Sequence, residues 1–448
     1  MKKEALENDI IVIGGGPASV EAAVAAVPYA DSVVIISEEP VGDWGKLMPS
    51  RVWLAALDQM EMLEQSPLLR TTSKSGAFDL DLIAAHTDRV ASSWRKYITE
   101  ELNRKGVQIS IGRASFNSPN QVQITSNAVR QELSAHAIII ASGAIPNFPL
   151  GFEPDGERIF SASTINQMKA LPKSIIVVGD GPIGFEFVDI FSRLGASITW
   201  IVLAGGPRSG FGTEADEFLI SIFKKRGIRI KAGPPIECIE RGNDAISVIQ
   251  NGLKIEAEMA FVNLGHRPNL GPLNLQAAGI EVNERGLLEP DEFGRTNISN
   301  IYVAGDAIRF GPGTIAMGQA RVAGLHAVNK KTSPFDLEST VISFGLNPQV
   351  ARVGTIQRDD GSVQSVAVPF RATILSHVNS ELEGFIRVAW DNEGQVAGGL
   401  AVGRNAADAL APIAMAIKTR TSINDLAEMQ GPHPNISELP YITAKKAT

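Results

Sequence analysis

The chain has 448 residues, of which 44% are hydrophobic and 20% are charged, and its formal net charge is −8 at pH 7. This composition is that of a globular protein of two to four domains, and its acidity argues against a general nucleic-acid binder. No apolar run approaches the ~20 residues that a transmembrane helix needs. The N-terminal MKKEALEND has no apolar core after its lysines and does not predict a secretory signal, so we expect a cytoplasmic protein.

Cysteine usage limits the possible redox chemistry. The chain contains one cysteine, Cys238, which cannot form a disulfide within the chain. It lies in PPIECIERG, a strand-like stretch, and we interpret it as a small buried side chain. The histidines show no metal-type spacing, so the sequence predicts no metal site.

Residues 10–39 have the pattern of a strand–helix–strand unit. The apolar strand Ile10–Ile13 is followed by a turn of three glycines, an alanine-rich helix over Ala18–Val27 and the apolar strand Val33–Ile36. In such a turn the first glycine allows the tight bend, the second lets a pyrophosphate approach the backbone, and the third permits close helix–strand packing. Ser19 occupies the third position, and we interpret this small residue as a tolerated variant.

The same plan recurs at residues 174–203. Its parts are the strand Ile175–Val178, the turn glycines Gly179, Gly181 and Gly184, the helix Ile183–Leu194 and the strand Ile198–Leu203. Each unit has the length of about 30 residues that a nucleotide-binding βαβ unit requires. The pyrophosphate rests on the helix N-terminus, where free N–H groups and the helix dipole favour negative charge. The sequence therefore predicts two dinucleotide sites.

The remaining patterns are less specific. Residues 79–105 are helical in pattern and end at Gly106, and residues 107–116 and 122–124 predict strands of a small meander. From about Ser339, several strand-like stretches precede a helical pattern over residues 405–418. This last region predicts an α+β domain of about 110 residues.

Eight motifs in collinear order resemble those of the pyridine-nucleotide–disulfide oxidoreductases, which include dihydrolipoamide dehydrogenase, glutathione reductase, mercuric reductase and soluble transhydrogenase. They are VIGGGPAS, MPSR, ASGAIP, LPKSIIVVGDGPIGFE, LGHRPNL, NISNIYVAGDA, SFGLNPQVARVG and HPNISE. The resemblance implies an α/β fold with two Rossmann-like domains and a C-terminal α+β dimerisation domain. The expected divisions are an FAD-binding domain of residues 1–150 and 267–335, an NAD(P)-binding domain of residues 151–266 and a dimerisation domain of residues 336–448. It also implies a homodimer, because the family builds each active site from two subunits.

The segment before MPSR departs from the family pattern. The family carries CxxxxC there, whereas EPVGDWGKLMPSR has no cysteine and has Leu47 at the flavin-proximal position. We therefore expect no reduction of lipoamide or glutathione disulfide by thiol exchange. Asp43, Trp44 and Lys46 are candidates to line an acceptor site. Trp44 could stack on a planar substrate or only fill the space of the absent cysteines.

The resemblance assigns the FAD site to residues from several motifs. An acid at the end of the second strand accepts hydrogen bonds from ribose hydroxyls, and Glu38 is the candidate, with Glu39 or a register that places Ser37 there as alternatives. Asp306 in the GDA motif resembles the aspartate that holds the ribitol chain. The other expected FAD contacts are Gly14, Gly16, Pro17, Ser19, Ser142 and Gly143.

The second glycine turn is expected to bind NAD(P)H. No acid follows its second strand in ITWIVLAGGPRSG, and an acid there would repel a 2′-phosphate. With Arg208 nearby, the sequence slightly favours NADPH over NADH, although Arg208 is also compatible with an ordinary loop residue. Pro182 stands where disulfide reductases often have a tyrosine lid, which suggests a more open nicotinamide face.

Four residues are catalytic candidates by resemblance. Glu186 matches the glutamate that pairs with the family lysine beside flavin N5, and Arg51 replaces that lysine. Arginine can bind a carboxylate bidentately but does not readily release a proton. His433 and Glu438 match the acid–base dyad that the family donates across the dimer interface. Without thiols, the dyad either protonates a reduced oxygen or quinone or is a structural remnant.

These features predict an FAD-dependent NAD(P)H oxidoreductase whose acceptor is a quinone, another small oxidant or a protein carrier. One alternative is a soluble pyridine nucleotide transhydrogenase, in which a second nicotinamide is the acceptor. Another is a degenerate FAD-binding subunit of a larger redox complex. The absent cysteines, Ser19 and Pro182 fit the degenerate subunit, whereas the intact second glycine turn and Glu186 fit retained use of nicotinamide.

Overall fold

The computed structural model describes residues 8–42, 48–65, 78–126, 129–242 and 244–448. The candidate acceptor residues Asp43, Trp44 and Lys46 lie outside these ranges. The chain forms two compact units. The first consists of residues 1–45, 88–147 and 266–336, and the second of residues 46–87, 148–265 and 337–448.

The helices and strands of the described residues have the following bounds. The α-helices are α1 (Pro17–Ala26), α2 (Met48–Gln65), α3 (Leu80–Arg104), α4 (Pro182–Arg193), α5 (Thr213–Lys225), α6 (Gly313–Ala327), α7 (Ile374–Val378), α8 (Ala406–Thr419), α9 (Ile423–Glu428) and α10 (Leu439–Lys445). The strands are β1 (Asn8–Ile13), β2 (Val33–Ser37), β3 (Gln108–Ile111), β4 (Arg113–Ser118), β5 (Gln121–Ser126), β6 (Val129–Ile140), β7 (Ala144–Pro146), β8 (Ile159–Phe160), β9 (Ser174–Val178), β10 (Ser197–Leu203), β11 (Arg229–Gly233), β12 (Cys238–Arg241), β13 (Ile246–Gln250), β14 (Leu253–Ala257), β15 (Met259–Val262), β16 (His266–Pro268), β17 (Ile301–Val303), β18 (Ile342–Phe344), β19 (Val350–Gly354), β20 (Val363–Pro369), β21 (Phe385–Asp391) and β22 (Val396–Val402). None of the described helices combines the length and apolar character needed to cross a membrane.

The first unit is built on a parallel sheet in the order β3-β2-β1-β6-β17. Helices α1 and α6 pack closely, and a Cβ at Gly324 of α6 would collide with the Ala22 carbonyl of α1. The long strand β6 also pairs antiparallel with β5, which pairs with β4. The predicted single strand over residues 107–116 is therefore wrong, since Gly112 separates β3 of the parallel sheet from β4 of the meander.

The second unit contains a parallel sheet in the order β11-β10-β9-β15-β8 and an antiparallel three-stranded sheet, β12-β13-β14. Its C-terminal part is a five-stranded antiparallel sheet, β18-β19-β22-β21-β20, with α8, α9 and α10 packed against it. The predicted α/β class with an α+β region at the C-terminus is confirmed. The division into three domains stays a prediction.

Cys238 is exposed, so its interpretation as a buried side chain is wrong. It begins β12, which pairs only with β13 in its sheet. Successive side chains of a strand point to opposite faces. Ile239 fills the core position on this strand, which directs Cys238 to the solvent side.

Candidate dinucleotide-binding and active sites

The two glycine turns have nearly the same backbone geometry. Gly14 and Gly179 both have φ of +130°, and their N–H groups donate to the carbonyls of Ile36 and Ile201 at 2.8 and 3.1 Å. Gly16 and Gly181 precede α1 and α4, each of which begins with proline and has no acid in its first turn. Proline suits this position because the first helical N–H has no partner within the helix. Both helices therefore present an N-terminus that favours an anion.

The third position of the motif differs between the two turns. Ser19 is completely buried, and its hydroxyl donates to the Ala141 carbonyl at 3.3 Å. At Gly184, a Cβ would collide with the carbonyl oxygen of Gly179. The first turn thus accommodates a small side chain, whereas the second leaves no space for one.

Polar groups around the first turn fit a cofactor with hydroxyl and phosphate groups. The Ser142 hydroxyl is buried and has no hydrogen-bond partner among the described residues. Gly143 follows it with φ of +71° and has open space where a Cβ would point, as does Gly16. The loop after β2 closes on this turn, because the Gly42 N–H donates to the Gly15 carbonyl at 2.8 Å. An unpartnered buried hydroxyl needs an external partner, and FAD would supply one.

The acid after β2 is already engaged with an arginine. Strand β2 ends at Ser37, and the exposed carboxylate of Glu38 accepts two hydrogen bonds from Arg113 at 3.1 and 3.2 Å. Ser37 donates its hydroxyl to the Glu39 carbonyl at 2.6 Å. Ribose binding by Glu38 stays a prediction, and any ribose hydroxyl there would share the carboxylate with Arg113, which the sequence did not indicate.

Asp306 lies in a short 3₁₀ turn, three residues after the end of β17, and is only partly exposed. Burial raises the pKa of its carboxyl to about 6, against a weaker opposing hydrogen bond from the Gly311 N–H at 3.2 Å. A carboxyl group in this setting can accept hydrogen bonds from ligand hydroxyls, as the ribitol role requires.

Trp200 supports the second glycine turn, although the sequence did not single it out. Its Nε1 donates to the Gly179 carbonyl at 2.7 Å, and its fully buried ring packs edge-on against Phe185, with centroids 4.8 Å apart. The only available signal was a tryptophan within the strand that follows the turn. Trp200 therefore holds the backbone carbonyl of Gly179, the first glycine of this turn, through a hydrogen bond.

The loop after β10 folds back onto the same turn. The backbone N–H of Arg208 donates to the Asp180 carbonyl at 2.7 Å, and its exposed guanidinium lies against Gly205. The Asp216 carboxylate holds the next residue, Ser209, through the backbone N–H at 2.8 Å and through the hydroxyl. This loop brings a cation and no carboxylate to the edge of the turn, while Pro182 is exposed at the start of α4.

Glu186 is buried on α4 and faces α2. Burial raises the pKa of its carboxyl, the Arg51 guanidinium and a hydrogen bond from Ser50 oppose this, and the nearby Asp189 carboxylate adds to it. Its Oε1 is buried without a hydrogen-bond partner among the described residues. The interaction with Arg51 is therefore not bidentate, because Ser50 binds Glu186 and Oε1 is left unbound. The sequence missed Ser50, which immediately precedes Arg51.

His433 and Glu438 lie together in the second unit. The Nδ1 of His433 is 2.9 Å from Oε2 of Glu438, so the carboxylate orients the ring. The imidazole side chain is 67% exposed and the carboxylate side chain only 13%. This is the arrangement of an oriented imidazole with an accessible face, and its catalytic role stays a prediction.

Comparisons with known proteins agree with this geometry. The family model described as "Pyridine nucleotide-disulphide oxidoreductase" matches residues 8–351, and that of its dimerisation domain matches residues 341–441. An NAD(P)H dehydrogenase (quinone) from Mycobacterium tuberculosis is 29% identical over 96% of this chain and 91% of its own length. A dihydrolipoyl dehydrogenase from Geobacillus stearothermophilus is 26% identical over 99% of this chain and 97% of its own length.

Solved structures share this fold. The crystal structure of LpdA from Mycobacterium tuberculosis has a TM-score of 0.92 at 28% identity and covers 98% of this chain and 100% of its own. A HOCl-induced flavoprotein disulfide reductase from Escherichia coli shares the fold, with a TM-score of 0.84 at 19% identity, 98% coverage of this chain and 100% of its own. The chain therefore belongs to the pyridine nucleotide-disulphide oxidoreductase family and is an FAD-dependent NAD(P)H oxidoreductase.

Proposed function

We propose that the chain oxidises NAD(P)H, with NADPH preferred, and delivers the electrons to a quinone or another small oxidant without a dithiol relay. The observation that carries this proposal is an intact nicotinamide turn in a chain whose single cysteine is exposed on a different sheet. A relative described as an NAD(P)H dehydrogenase (quinone), similar over 96% of the chain, supports the choice of a quinone.

The first unit would hold FAD through a buried hydroxyl, a helix N-terminus and two carboxylates. The Ser142 hydroxyl would bind a polar atom of the cofactor, and the N-terminus of α1 would bind the pyrophosphate. Asp306 would accept hydrogen bonds from the ribitol chain, and Glu38 would accept them from the ribose while it stays paired with Arg113. When bound, FAD supplies the two-electron chemistry that links the nicotinamide to the acceptor.

The second unit would bind the nicotinamide nucleotide. The N-terminus of α4 would receive its pyrophosphate between Gly181 and Gly184. Arg208 would bind a 2′-phosphate through charge-assisted hydrogen bonds, because it lies on the loop that contacts Asp180 and no acid follows β10 to repel that group. This arrangement supports the preference for NADPH.

Three groups of the second unit would handle charge and protons. Arg51 would supply a guanidinium beside Glu186. Glu186, with one unbound oxygen in a buried setting, can hold a proton. His433, oriented by Glu438, would donate a proton to the reduced acceptor from across the interface of a homodimer, which the dimerisation domain at residues 341–441 supports.

The first experiment is an anaerobic stopped-flow titration of the purified protein with NADH and, separately, NADPH, followed by a quinone. Fast loss of oxidised-flavin absorbance with NADPH, and its recovery on addition of the quinone, are the expected results. No loss of absorbance with either nucleotide would overturn the proposal. Hydride transfer from NADPH to an NAD analogue with no response to quinone would instead identify a transhydrogenase.

Arg208→Ala tests the preference for NADPH. The loss of charge-assisted bonds to the 2′-phosphate should raise the Kd for NADPH about 10–100-fold and leave that for NADH unchanged. Arg229→Ala is a matched control, because this arginine is also exposed and lies on β11, which pairs with β10, the strand before the Arg208 loop. An equal effect of Arg208→Ala on both nucleotides would contradict the assignment.

A further inference from the structure

A cluster of charged side chains surrounds Asp189 in the second unit, next to Glu186. We call it the Asp189 cluster, and its members are Asp58, Glu61, Asp189, Arg193, Arg226 and Asn347. Asp189 lies on α4 one turn beyond Glu186 and has no exposed surface. None of these residues was a candidate site residue in the sequence, although Asp189 and Arg193 lie on the helix of the second glycine-turn unit and Asn347 lies in the motif SFGLNPQVARVG.

Both oxygens of the Asp189 carboxylate are bound. Arg226 Nη1 donates to Oδ1 at 2.6 Å, and the Asn347 backbone N–H donates to Oδ2 at 3.1 Å. Arg193 Nη1 lies 3.6 Å from the same Oδ2. Burial raises the pKa of the Asp189 carboxyl, and the Arg226 and Arg193 guanidiniums and the Asn347 N–H oppose this because they stabilise its ionised form.

The cluster also ties helix α2 to helix α4. Arg193, the last residue of α4, donates through Nη2 to Asp58 and Glu61 of α2 at 2.7 and 2.9 Å. The side-chain amide of Asn347 donates to the same Glu61 oxygen at 2.7 Å. The backbone carbonyl of Asn347 accepts a hydrogen bond from Arg226 at 2.9 Å. One connected network therefore holds α2, α4, the residue after α5 and the segment between β18 and β19.

Two of these elements determine where Arg51 lies. Arg51 is on α2, two turns before Asp58. Its guanidinium packs on Gly345, because a Cβ at that glycine would collide with it. Gly345 is two residues before Asn347. The helix that carries Arg51 and the segment on which its guanidinium rests are thus both attached to Asp189.

We propose that the Asp189 cluster positions Arg51 against Glu186, so that Asp189 and Asn347 are positioning residues for the oxidation of NAD(P)H. The effect on NAD(P)H oxidation rests on the proposed function, whereas the anchoring of α2 by the cluster does not depend on it. Stability alone is a weak reason for the cluster, because well-packed apolar side chains often stabilise a core as well as buried ion pairs do.

The cluster also sets the electrostatic environment of Glu186. It contains three carboxylates, Asp58, Glu61 and Asp189, and two guanidiniums, Arg193 and Arg226, so its formal charge is negative by one when all three carboxylates are ionised. The charged and polar groups that act on Glu186 are Arg51 and Ser50 from α2 and Asp189 from α4 itself. Asp189 therefore opposes the effect of Arg51 on the ionisation of Glu186.

The test uses the FAD-loaded protein and three variants. Asp189→Asn removes the central charge, and Glu61→Gln weakens only the attachment of α2. Glu214→Gln is the matched control, because it breaks a bidentate pair with Arg387 at 2.7 and 2.8 Å elsewhere in the same unit. Hydrogen exchange of residues 48–63 reports the anchoring of α2, and the pH profile of flavin reduction reports Glu186. Glu186→Gln identifies the limb of that profile that belongs to Glu186.

Asp189→Asn and Glu61→Gln should both speed exchange in residues 48–63, and Glu214→Gln should not. Misplacement of Arg51 by about 1 Å should slow flavin reduction by on the order of 10–100-fold in Asp189→Asn. In Asp189→Asn, the limb of the pH profile that Glu186→Gln abolishes should move to lower pH. The reason is that removal of the neighbouring negative charge favours the ionised form of Glu186. Loss of stability alone would not move this limb.

The outcomes separate this inference from the proposed function. A wild-type protein that neither nucleotide reduces would overturn the function, while the exchange data would still decide whether the cluster anchors α2. Wild-type exchange and an unshifted pH limb in both Asp189→Asn and Glu61→Gln would overturn the inference even if the wild type is active. If Asp189→Asn does not fold, Glu61→Gln alone decides the matter.

Discussion

Gly184→Ala should weaken nicotinamide binding without affecting FAD. The added methyl group would overlap the carbonyl oxygen of Gly179 and lie 3.4 Å from Trp200 Nε1. Neither neighbour can yield easily, because one is backbone and the other is a fully buried ring that donates to that same carbonyl at 2.7 Å. The start of α4 must therefore move away from the turn.

The size of the effect follows from these contacts. Overpacking a buried site typically costs about 1–3 kcal/mol, and the higher helix propensity of alanine offsets up to about 1 kcal/mol. We expect the free energy of unfolding of the second unit to fall by about 1–2 kcal/mol. Displacing the N-terminus of α4 from a pyrophosphate should remove about 1–2 kcal/mol of binding, which raises the nucleotide Kd about 5–30-fold.

The assay compares the Kd for NADPH with the ratio of flavin to protein after purification. Ser19→Ala is the matched variant at the same motif position of the other turn, where it removes only a 3.3 Å hydrogen bond to Ala141. It should cost about 1 kcal/mol of stability and leave nucleotide affinity unchanged. A Gly184→Ala protein with wild-type Kd and melting temperature would refute the reasoning, because it would mean that the turn relaxes freely.

Three further predictions concern single side chains. Trp200→Phe leaves the Gly179 carbonyl without its donor, so the free energy of unfolding should fall by ~1–3 kcal/mol in chemical denaturation, and an unchanged value would show that the bond is dispensable. The folded-state pKa of Asp306, about 6, exceeds its unpaired value of 3.8. Its contribution to the stability of the flavin-free protein is thus fully present below pH 3.8 and lost as the pH rises through about 6. Melting curves of Asp306→Asn should lack this component, and an identical pH dependence would contradict the burial argument. Ser142→Ala should leave the melting temperature of the flavin-free protein unchanged, because its hydroxyl has no partner among the described residues, but flavin should dissociate faster on dialysis.

The nucleotide-binding turns could be predicted from the sequence because their signals are local. A buried strand, a glycine turn and an apolar helix each leave a pattern within about 30 residues, and the observed bounds of α1, α4 and β9 agree with the predicted ones to within one residue. The predictions of one strand over residues 107–116 and of a buried Cys238 were wrong, because each sequence pattern is compatible with two structures. Gly112 interrupts a continuous strand-like stretch, and alternation in β12 required a choice of which residue faces the core.

Apart from the Arg51–Glu186 and His433–Glu438 pairs, which the family resemblance implied, the partners of the site residues could not be predicted, because they come from distant parts of the chain. Arg113 reaches Glu38 across 75 positions, and Asn347 reaches Asp189 across 158. One feature of the sequence did indicate that two acids of α4 need partners. Two acids, Glu186 and Asp189, stand among phenylalanines in PIGFEFVDIFSR, and charged residues on an otherwise apolar helix must find partners or bind a ligand.

Under the proposed function, Arg51 would leave Glu186 as the group that carries a proton in this part of the second unit. An arginine keeps its charge, so it cannot exchange a proton with its neighbours. Glu186 can, because burial raises its pKa and its Oε1 is unbound among the described residues. Asp189, one turn further along α4 and fixed by two arginines, favours the protonated form of Glu186. Under the proposed function, a guanidinium beside a protonatable carboxylate would suit an acceptor that takes up electrons and protons together.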